Sequence, residues 1–461
     1  MAKEEKSRTR AQWSGKWMFI LAAAGSAVGL GNIWRFPYLV AKYDGGTFVW
    51  IYFIFVFTIG ISLLLLETAL GRKTGKSVIG AFKSYGKKYS FVGIFSSAIP
   101  FIIVPYYCII GGWIAKYVSA YIFETPSTLA GGEAYFTSFI SSNIESYIWM
   151  LVFMALTFVI VGFGVVKGIE RANLILLPAL IVMTAGVAVF TLTQPGALDG
   201  AAYYLVPNFS NITPELLIAA LGQTFFSLSL AMAIMVTYGS YLNKKESLTK
   251  SVTQISGFAF GVALLSGMAI VPAAFSALGS GEAVALNSGP NLMFVILPEI
   301  FANMGSAGSV LGFVFFTLIL FAAITSSISL VEAGVSIIND ATKLTRRQSL
   351  YVVIVLVVLG GICINAGFNV LSFVEPLGPG STLLGFFDFI SNSVMMPIAA
   401  IMTCIFVGWI IKPKTLVKEI RRSSPFKLEG LWIVMIKFVA PVLVFLILVS
   451  YVGMQLGLFS F

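Results

Sequence analysis

The chain has 461 residues, of which 58% are hydrophobic and only 10% charged, with a mean hydropathy of +0.95. A soluble domain carries roughly 45–50% apolar and about 25% charged residues, so this composition excludes a water-soluble enzyme, a disordered chain and a coiled coil. Apolar runs of about 20 residues without alternation exclude a β-barrel and leave an all-α polytopic membrane protein.

In chain order the hydropathy predicts eleven transmembrane spans, near 17–39, 47–70, 92–123, 147–165, 171–192, 216–241, 251–278, 306–338, 349–368, 382–411 and 431–457. Residues 1–16 form a charged segment ahead of span 1, which is too long and too Gly-rich for a signal peptide. Several spans exceed the length of a simple crossing, which implies tilt or extension beyond the lipid.

The formal charge of +10 resolves once the basic residues are placed. Twenty-five of the 29 fall in segment 1–16 and in the loops after spans 2, 4, 6, 8 and 10. The other loops carry Glu124, Glu133, Glu145, Asp199, Glu282 and Glu375. By the positive-inside rule the N-terminus is cytoplasmic, and eleven spans put the C-terminus outside. The excess charge marks a membrane face, and no nucleic-acid partner is expected.

Two spans are interrupted at mid-depth by small and polar residues: span 1 over Gly25-Ser26-Ala27-Val28-Gly29-Leu30-Gly31-Asn32, and span 6 over Gly222-Gln223-Thr224-Phe225-Phe226-Ser227-Leu228-Ser229. Such residues also permit plain helix packing, but matching interruptions five spans apart predict two five-helix halves, 17–192 and 216–411, followed by span 11 at 431–457. An odd repeat length inverts the second half. Broken helices near the midplane free carbonyls and amides that bind ions and charged substrates.

Four ionisable residues stand out within spans: Arg35, Glu67, Glu332 and Asp388. Charges at membrane depth are expensive and pair or line water. Arg35 and Asp388 both sit in outer halves and could pair across an external vestibule or form a permanent salt bridge. Arg10 and Asp340 occupy the cytoplasmic face. Glu67 reads as a helix anchor, and Glu332 as a candidate liner of an inward water path. Thr325-Ser326-Ser327 in span 8 either bonds back to its own helix or supplies oxygen ligands to a small cation. Histidine is absent, and Cys108, Cys363 and Cys404 are too far apart for a metal or redox motif and read as packing residues. With no nucleophile–base pair or metal cluster, the chain does not read as an enzyme.

With these motifs, Gly25 to Pro37 above all, the chain resembles the neurotransmitter:sodium symporter family, and in particular its bacterial hydrophobic amino-acid transporters. The resemblance extends through span 11, and the twelfth span of many members is expected to be missing. It implies the five-plus-five inverted repeat with broken helices 1 and 6, and alternating access. It implies a second sodium site from the carbonyls of Gly25, Val28 and Ala322 with the hydroxyls of Thr325 and Ser326. It implies a first from the Ala27 carbonyl, Asn32, Ser227 and the substrate carboxylate. It also implies that this carboxylate meets Tyr107 and the amides near Gly29 and Gly31. Phe226 would close over the substrate, with Arg35 and Asp388 as outer gate and Arg10, Asp340, Trp13 and Tyr241 as inner gate. Tyr52, Gln223 and Ser227 match most of the family's chloride ligands.

Two positions depart from the family pattern. Ala259 stands where members place a span 7 Asn or Asp, and Ala263 one turn later where others have Ser or Glu. Coupling is therefore expected to rely mainly on the second sodium site. Gly29 replaces the aspartate with which monoamine carriers bind an amine, so the substrate should bring its own carboxylate. Its pocket is expected from Ser26, Ala27, Ile103, Phe226, Ser229, Ala231, Met232, Ser326 and Leu330, an apolar set suited to neutral hydrophobic or aromatic amino acids. The expected activity is sodium-coupled import across the cell (inner, plasma) membrane. Proton coupling through Glu67 or Glu332, or a receptor that binds amino acids without transporting them, are the alternatives.

Overall fold

The computed structural model describes residues 11–278 and 290–458, and among them it is helical throughout, without a strand. Lipid offers backbone groups no hydrogen-bond partner, so apolar runs of this length become helices that bond internally. Among the described residues nine helices are long and apolar enough to cross a membrane: Gly46–Thr74, Lys87–Phe123, Glu145–Gly162, Val165–Leu192, Leu248–Phe275, Gly305–Ala341, Arg346–Phe368, Leu383–Ile410 and Glu429–Gln455. They coincide with expected spans 2–5 and 7–11. Span 1 is the pair Lys16–Ala27 and Gly31–Lys42, bent by 55°. Expected span 6 is built from two shorter helices, Pro214–Ser227 and Ile234–Ser240, so a count of eleven depends on how that broken segment is scored.

The two breaks differ in cause. In span 1 the helix stops at Ala27 and resumes within three residues. In span 6 the expected interruption at Gly222–Ser229 is mostly helical, since Pro214–Ser227 is one helix, and the chain unwinds later, over Leu228–Ala233, where Ser229, Ala231 and Ala233 all adopt positive φ (51°, 62° and 62°). Left-handed conformations at non-glycine residues are unfavourable unless surrounding contacts enforce them. One enforcing contact is Glu67, whose carboxylate accepts the Ala231 amide at 2.7 Å. Glu67 therefore secures the unwound backbone of span 6, in keeping with its reading as an anchor.

Span 8 runs down the centre, packed along span 3 and flanked by spans 4, 5 and 9, and span 1 lies against spans 5, 7 and 8. Spans 4, 5, 9 and 11 turn Val159, Val182, Leu359 and Val442 outward, as a lipid-facing rim requires. Cys108 and Cys404 are buried, whereas Cys363 is exposed on span 9 and does not pack in the interior.

The set of charges within spans was incomplete. Lys116 in span 3 bridges Glu124 and Glu145, each at 2.8 Å. Lys437 in span 11 lies over the Trp409 ring, 4.6 Å from its centroid. Both long side chains reach toward a helix end, so windowed hydropathy absorbs them. Arg10 and Glu282 lie outside the described residues.

Candidate functional site

A helix that stops at Ala27 leaves its last carbonyls without intrahelical partners. The structure satisfies them with hydroxyls from other spans and with an amide from the second half of span 1 itself. The Ser26 carbonyl accepts Ser229 Oγ at 2.9 Å and Ser326 Oγ at 3.1 Å, with the Gly25 carbonyl 3.5 Å from Ser326 Oγ. The Ala27 carbonyl accepts Asn32 Nδ2 at 3.1 Å. Spans 1, 6 and 8 are thereby knotted at one depth, around the break.

Beside this knot lies a small cavity. Of the expected substrate residues, Ser26, Ala27, Gly29, Gly31, Ile103, Tyr107, Phe226, Ser229, Met232, Ser326 and Leu330 line it. Ser227 and Ala231 do not. Ser227 Oγ turns to Tyr52 Oη at 2.5 Å, and Ala231 is held by its amide on Glu67. Leu30 and Ile234, which were not anticipated, complete the wall. No Asp, Glu, Lys or Arg lines the cavity. The Tyr107 hydroxyl is buried at the cavity wall beside Gly29 and Ser326.

Phe226 lies against Gly31, where a Cβ would overlap its ring. Gly31→Ala must therefore push the Phe226 ring out of its position above the cavity. The expected outcome is weakened substrate binding with a folded protein, read as a raised KM at unchanged expression. A KM equal to that of the parent chain would mean that Phe226 does not form the lid.

Of the residues expected at the second ion site, Gly25, Ala322, Thr325 and Ser326 meet where span 8 packs against the end of the first half of span 1. Thr325 Oγ1 lies 3.0 Å from the Ala322 carbonyl, and Ser326 Oγ reaches the Gly25 and Ser26 carbonyls. Thr325 and Ser327 bond back within span 8, as the first of the two sequence alternatives has it, while Ser326 crosses to the carbonyls of span 1. Val28 is the first residue past the helix end. Gly25 is packed so closely against Asn173 of span 5 that a Cβ would overlap its Oδ1. A hard monovalent cation suits this set, which offers oxygens and no nitrogen or sulfur.

At the expected first ion site, the Asn32 amide nitrogen takes both the Ala27 carbonyl and, at 3.2 Å, the Ala259 carbonyl. Ala259 thus occupies the expected span 7 position but offers backbone only. Asn32 Oδ1 is buried and unpartnered. Of the expected chloride ligands, Tyr52 and Ser227 share one hydrogen bond, and Gln223 Nε2 is engaged by the Gly31 carbonyl at 2.9 Å.

The gates differ from expectation in their partners. Arg35 and Asp388 are not joined by an ion pair. Arg35 instead donates to Tyr451 Oη of span 11 at 3.3 Å and lies 5.5 Å from the Phe226 ring centroid, while Asn392 Nδ2 holds Asp388 at 2.6 Å. On the inner side, Trp13 Nε1 donates to the Tyr238 carbonyl at 3.0 Å, and the Trp13 ring sits edge-on to Tyr238 and Tyr241. Asp340 accepts the Ser77 amide at 2.6 Å. The Tyr241 hydroxyl donates to Glu332 at 2.7 Å. Glu332 does not line an open water path. It is fully buried and chelated by Arg346, with Nη1 at 2.8 Å and Nη2 at 2.6 Å. Sequence reading took Arg346 for one of the loop charges.

Glu170 was also missed. Its two carboxylate oxygens accept the Ser14 amide at 2.8 Å and the Ser14 hydroxyl at 2.5 Å, pinning the segment that carries Trp13 to the start of span 5. In the sequence it is one acid between Lys167 and Arg171, with nothing to distinguish it from solvated loop charge.

Comparison with known proteins agrees with this architecture. The model of the sodium:neurotransmitter symporter family matches residues 10–132 and 134–457. An uncharacterized sodium-dependent transporter of Bacillus subtilis, YhdH, is 34% identical over 448 residues, covering 96% of this chain and 98% of that protein. A sodium- and chloride-dependent taurine transporter of Rattus norvegicus is 26% identical over 456 residues, covering 88% of this chain and 72% of the relative. Among solved structures, MhsT in complex with L-phenylalanine superposes with a TM-score of 0.85 at 35% identity, covering 96% of this chain and all of that one.

Proposed function

The chain belongs to the sodium:neurotransmitter symporter family, a family of secondary transporters rather than enzymes, and from that premise we propose that it imports neutral hydrophobic or aromatic amino acids by alternating access. Sodium dependence follows from the family, and the protein is a multi-pass membrane protein. The single observation that carries the substrate class is the cavity wall: Ile103, Phe226, Met232, Ile234 and Leu330 surround a space with no ionised side chain. An amino acid supplies both of its own charges. Its carboxylate finds the positive start of the Gly31–Lys42 half-helix and the Tyr107 hydroxyl at the cavity wall, while the apolar side chain meets the wall. The bound ligand in the MhsT structure is of the same class. The test is competition of radiolabelled phenylalanine uptake by the twenty amino acids in proteoliposomes, with and without sodium. Competition by acidic or basic amino acids alone would overturn the reading.

The cargo cation binds mainly at the second site, where spans 1 and 8 offer Gly25, Val28, Ala322, Thr325 and Ser326. At the first site the Asn32 amide nitrogen already occupies the available carbonyls, and Ala259 adds no side-chain ligand. Uptake against sodium concentration is expected to give a Hill coefficient near one. A coefficient clearly near two would refute dominance of the second site. Replacing chloride by gluconate is expected to leave uptake unchanged, because the Tyr52 and Ser227 hydroxyls pair with each other and Ala263 has none to offer. A collapse of uptake in gluconate would restore the chloride site. Glu332 is closed off by Arg346 and Glu67 is bound to the span 6 backbone, so neither reads as the coupling proton carrier.

The basic loops support an orientation with the N-terminus in the cytoplasm and the C-terminus outside, in the cell membrane. Thiol labelling of single cysteines introduced at Ser84 and Ser381, in loops on opposite sides, tests this orientation.

A further inference from the structure

At the face carrying the basic loops, spans 2 and 7 and the loop before span 11 leave between them a surface groove, away from the cavity described above. Its mouth is built by one buried residue. The Arg72 guanidinium, at the end of span 2, holds Glu419 with Nε at 2.9 Å and the Glu419 carbonyl with Nη2 at 2.6 Å. Its Nη1 takes the Glu246 carbonyl at 2.6 Å and Ser423 Oγ at 3.2 Å. The loops leading into span 7 and span 11 are thereby fixed side by side.

Across this seam Ser424 Oγ meets Ser247 Oγ at 3.0 Å and Thr249 Oγ1 at 3.1 Å, a cluster of hydroxyls at the lip. Lys250 and Lys427 flank it, both exposed, and neither makes an ion pair among the described residues. The nearby acids Glu419 and Glu429 are already matched by Arg72 and Arg421, and Glu246 pairs with neither lysine. The 31-residue helix Leu248–Leu278 begins at the same lip, adding the positive end of its dipole. Deeper in, the walls turn apolar through Ile61, Leu65 and Val252, with the exposed Leu428 at the rim.

We propose that this groove binds the headgroup of an anionic phospholipid, with the phosphate at the hydroxyl–lysine lip and an acyl chain along the apolar wall. Basic pockets between transmembrane helices on the cytoplasmic side suit such headgroups. Inorganic phosphate shares the lip chemistry, but it has no use for a wall of Ile, Leu and Val. The inference rests on the membrane orientation given above only for which leaflet supplies the lipid, because binding itself is measured in detergent.

The experiment is native mass spectrometry of the full chain titrated with phosphatidylglycerol, with phosphatidylcholine, or with phosphatidylglycerol in excess inorganic phosphate. Phosphatidylglycerol is expected to be retained over phosphatidylcholine and not displaced by phosphate. Lys250→Gln with Lys427→Gln is expected to lower its apparent affinity about fivefold per lysine. Lys250→Arg with Lys427→Arg is expected to restore it, and Lys414→Gln with Lys418→Gln, equally exposed outside the groove, to leave it unchanged. Equal retention by the groove double variant and the parent chain would overturn the site. An equal loss in the control variant would reduce it to general surface charge, and displacement by phosphate would overturn the lipid as occupant.

Discussion

Thr325→Ala is expected to raise the sodium concentration for half-maximal uptake by about tenfold or more, the effect of removing one hydroxyl that faces a charge. The substrate KM at saturating sodium is expected to move far less. Thr325 Oγ1 lies 3.0 Å from the Ala322 carbonyl, and both belong to the oxygen set around the end of helix Lys16–Ala27. Alanine is at least as good a helix former as threonine, so span 8 is not expected to unwind, and the loss falls on the ion. Thr325→Ser keeps the oxygen and is expected to retain near-parental sodium dependence. An unchanged sodium requirement in Thr325→Ala would show that the cation is held elsewhere.

Arg346→Ala is expected to destabilise the protein by about 3 kcal/mol, at the low end of the cost of breaking a buried ion pair because the Arg346 side chain is 37% exposed. Its partner Glu332 is fully buried and would keep only the Tyr241 hydroxyl against its charge. Tyr241 is also the residue whose carbonyl accepts the Trp13 amide at 3.2 Å, so the strain reaches the inner gate. Both a lower thermal midpoint in detergent and greater cytoplasmic thiol accessibility at a cysteine placed at Ser329 are expected. Adding Glu332→Gln removes the stranded charge and is expected to recover most of the midpoint. A midpoint for Arg346→Ala equal to that of the parent chain would mean that the pair contributes nothing to stability.

Much of the substrate site was legible because it is local in the chain. The small-residue break at Gly25–Asn32 and the hydroxyls Thr325–Ser326 each lie within one segment, and the cavity is where those segments meet. What escaped reading were single polar residues whose partners lie far away in the chain. Glu170 and Ser14 are 156 residues apart, and Arg35 and Tyr451 are 416 apart. Nothing in the neighbourhood of Tyr451 marks it, since span 11 reads as a plain apolar helix. Arg346 failed for a related reason. It is a loop charge by position, and only the one-turn return of the chain after span 8 brings it onto Glu332, 14 residues earlier.

The sequence by itself determined the class of molecule, the order of its helices and the break in span 1, and it identified span 6 as broken but set that break about one turn too early. These follow from composition and hydropathy, because a backbone in lipid has no alternative to bonding itself. Only the tertiary structure decided who satisfies the groups that the breaks leave open. The Ala27 carbonyl goes to Asn32, the Ser26 carbonyl to Ser229 and Ser326, the Ala231 amide to Glu67, and the gate arginine to Tyr451 rather than Asp388. A hydrogen bond is settled within a few tenths of an ångström, and that distance is fixed by how the helices pack, which no single segment of the chain contains.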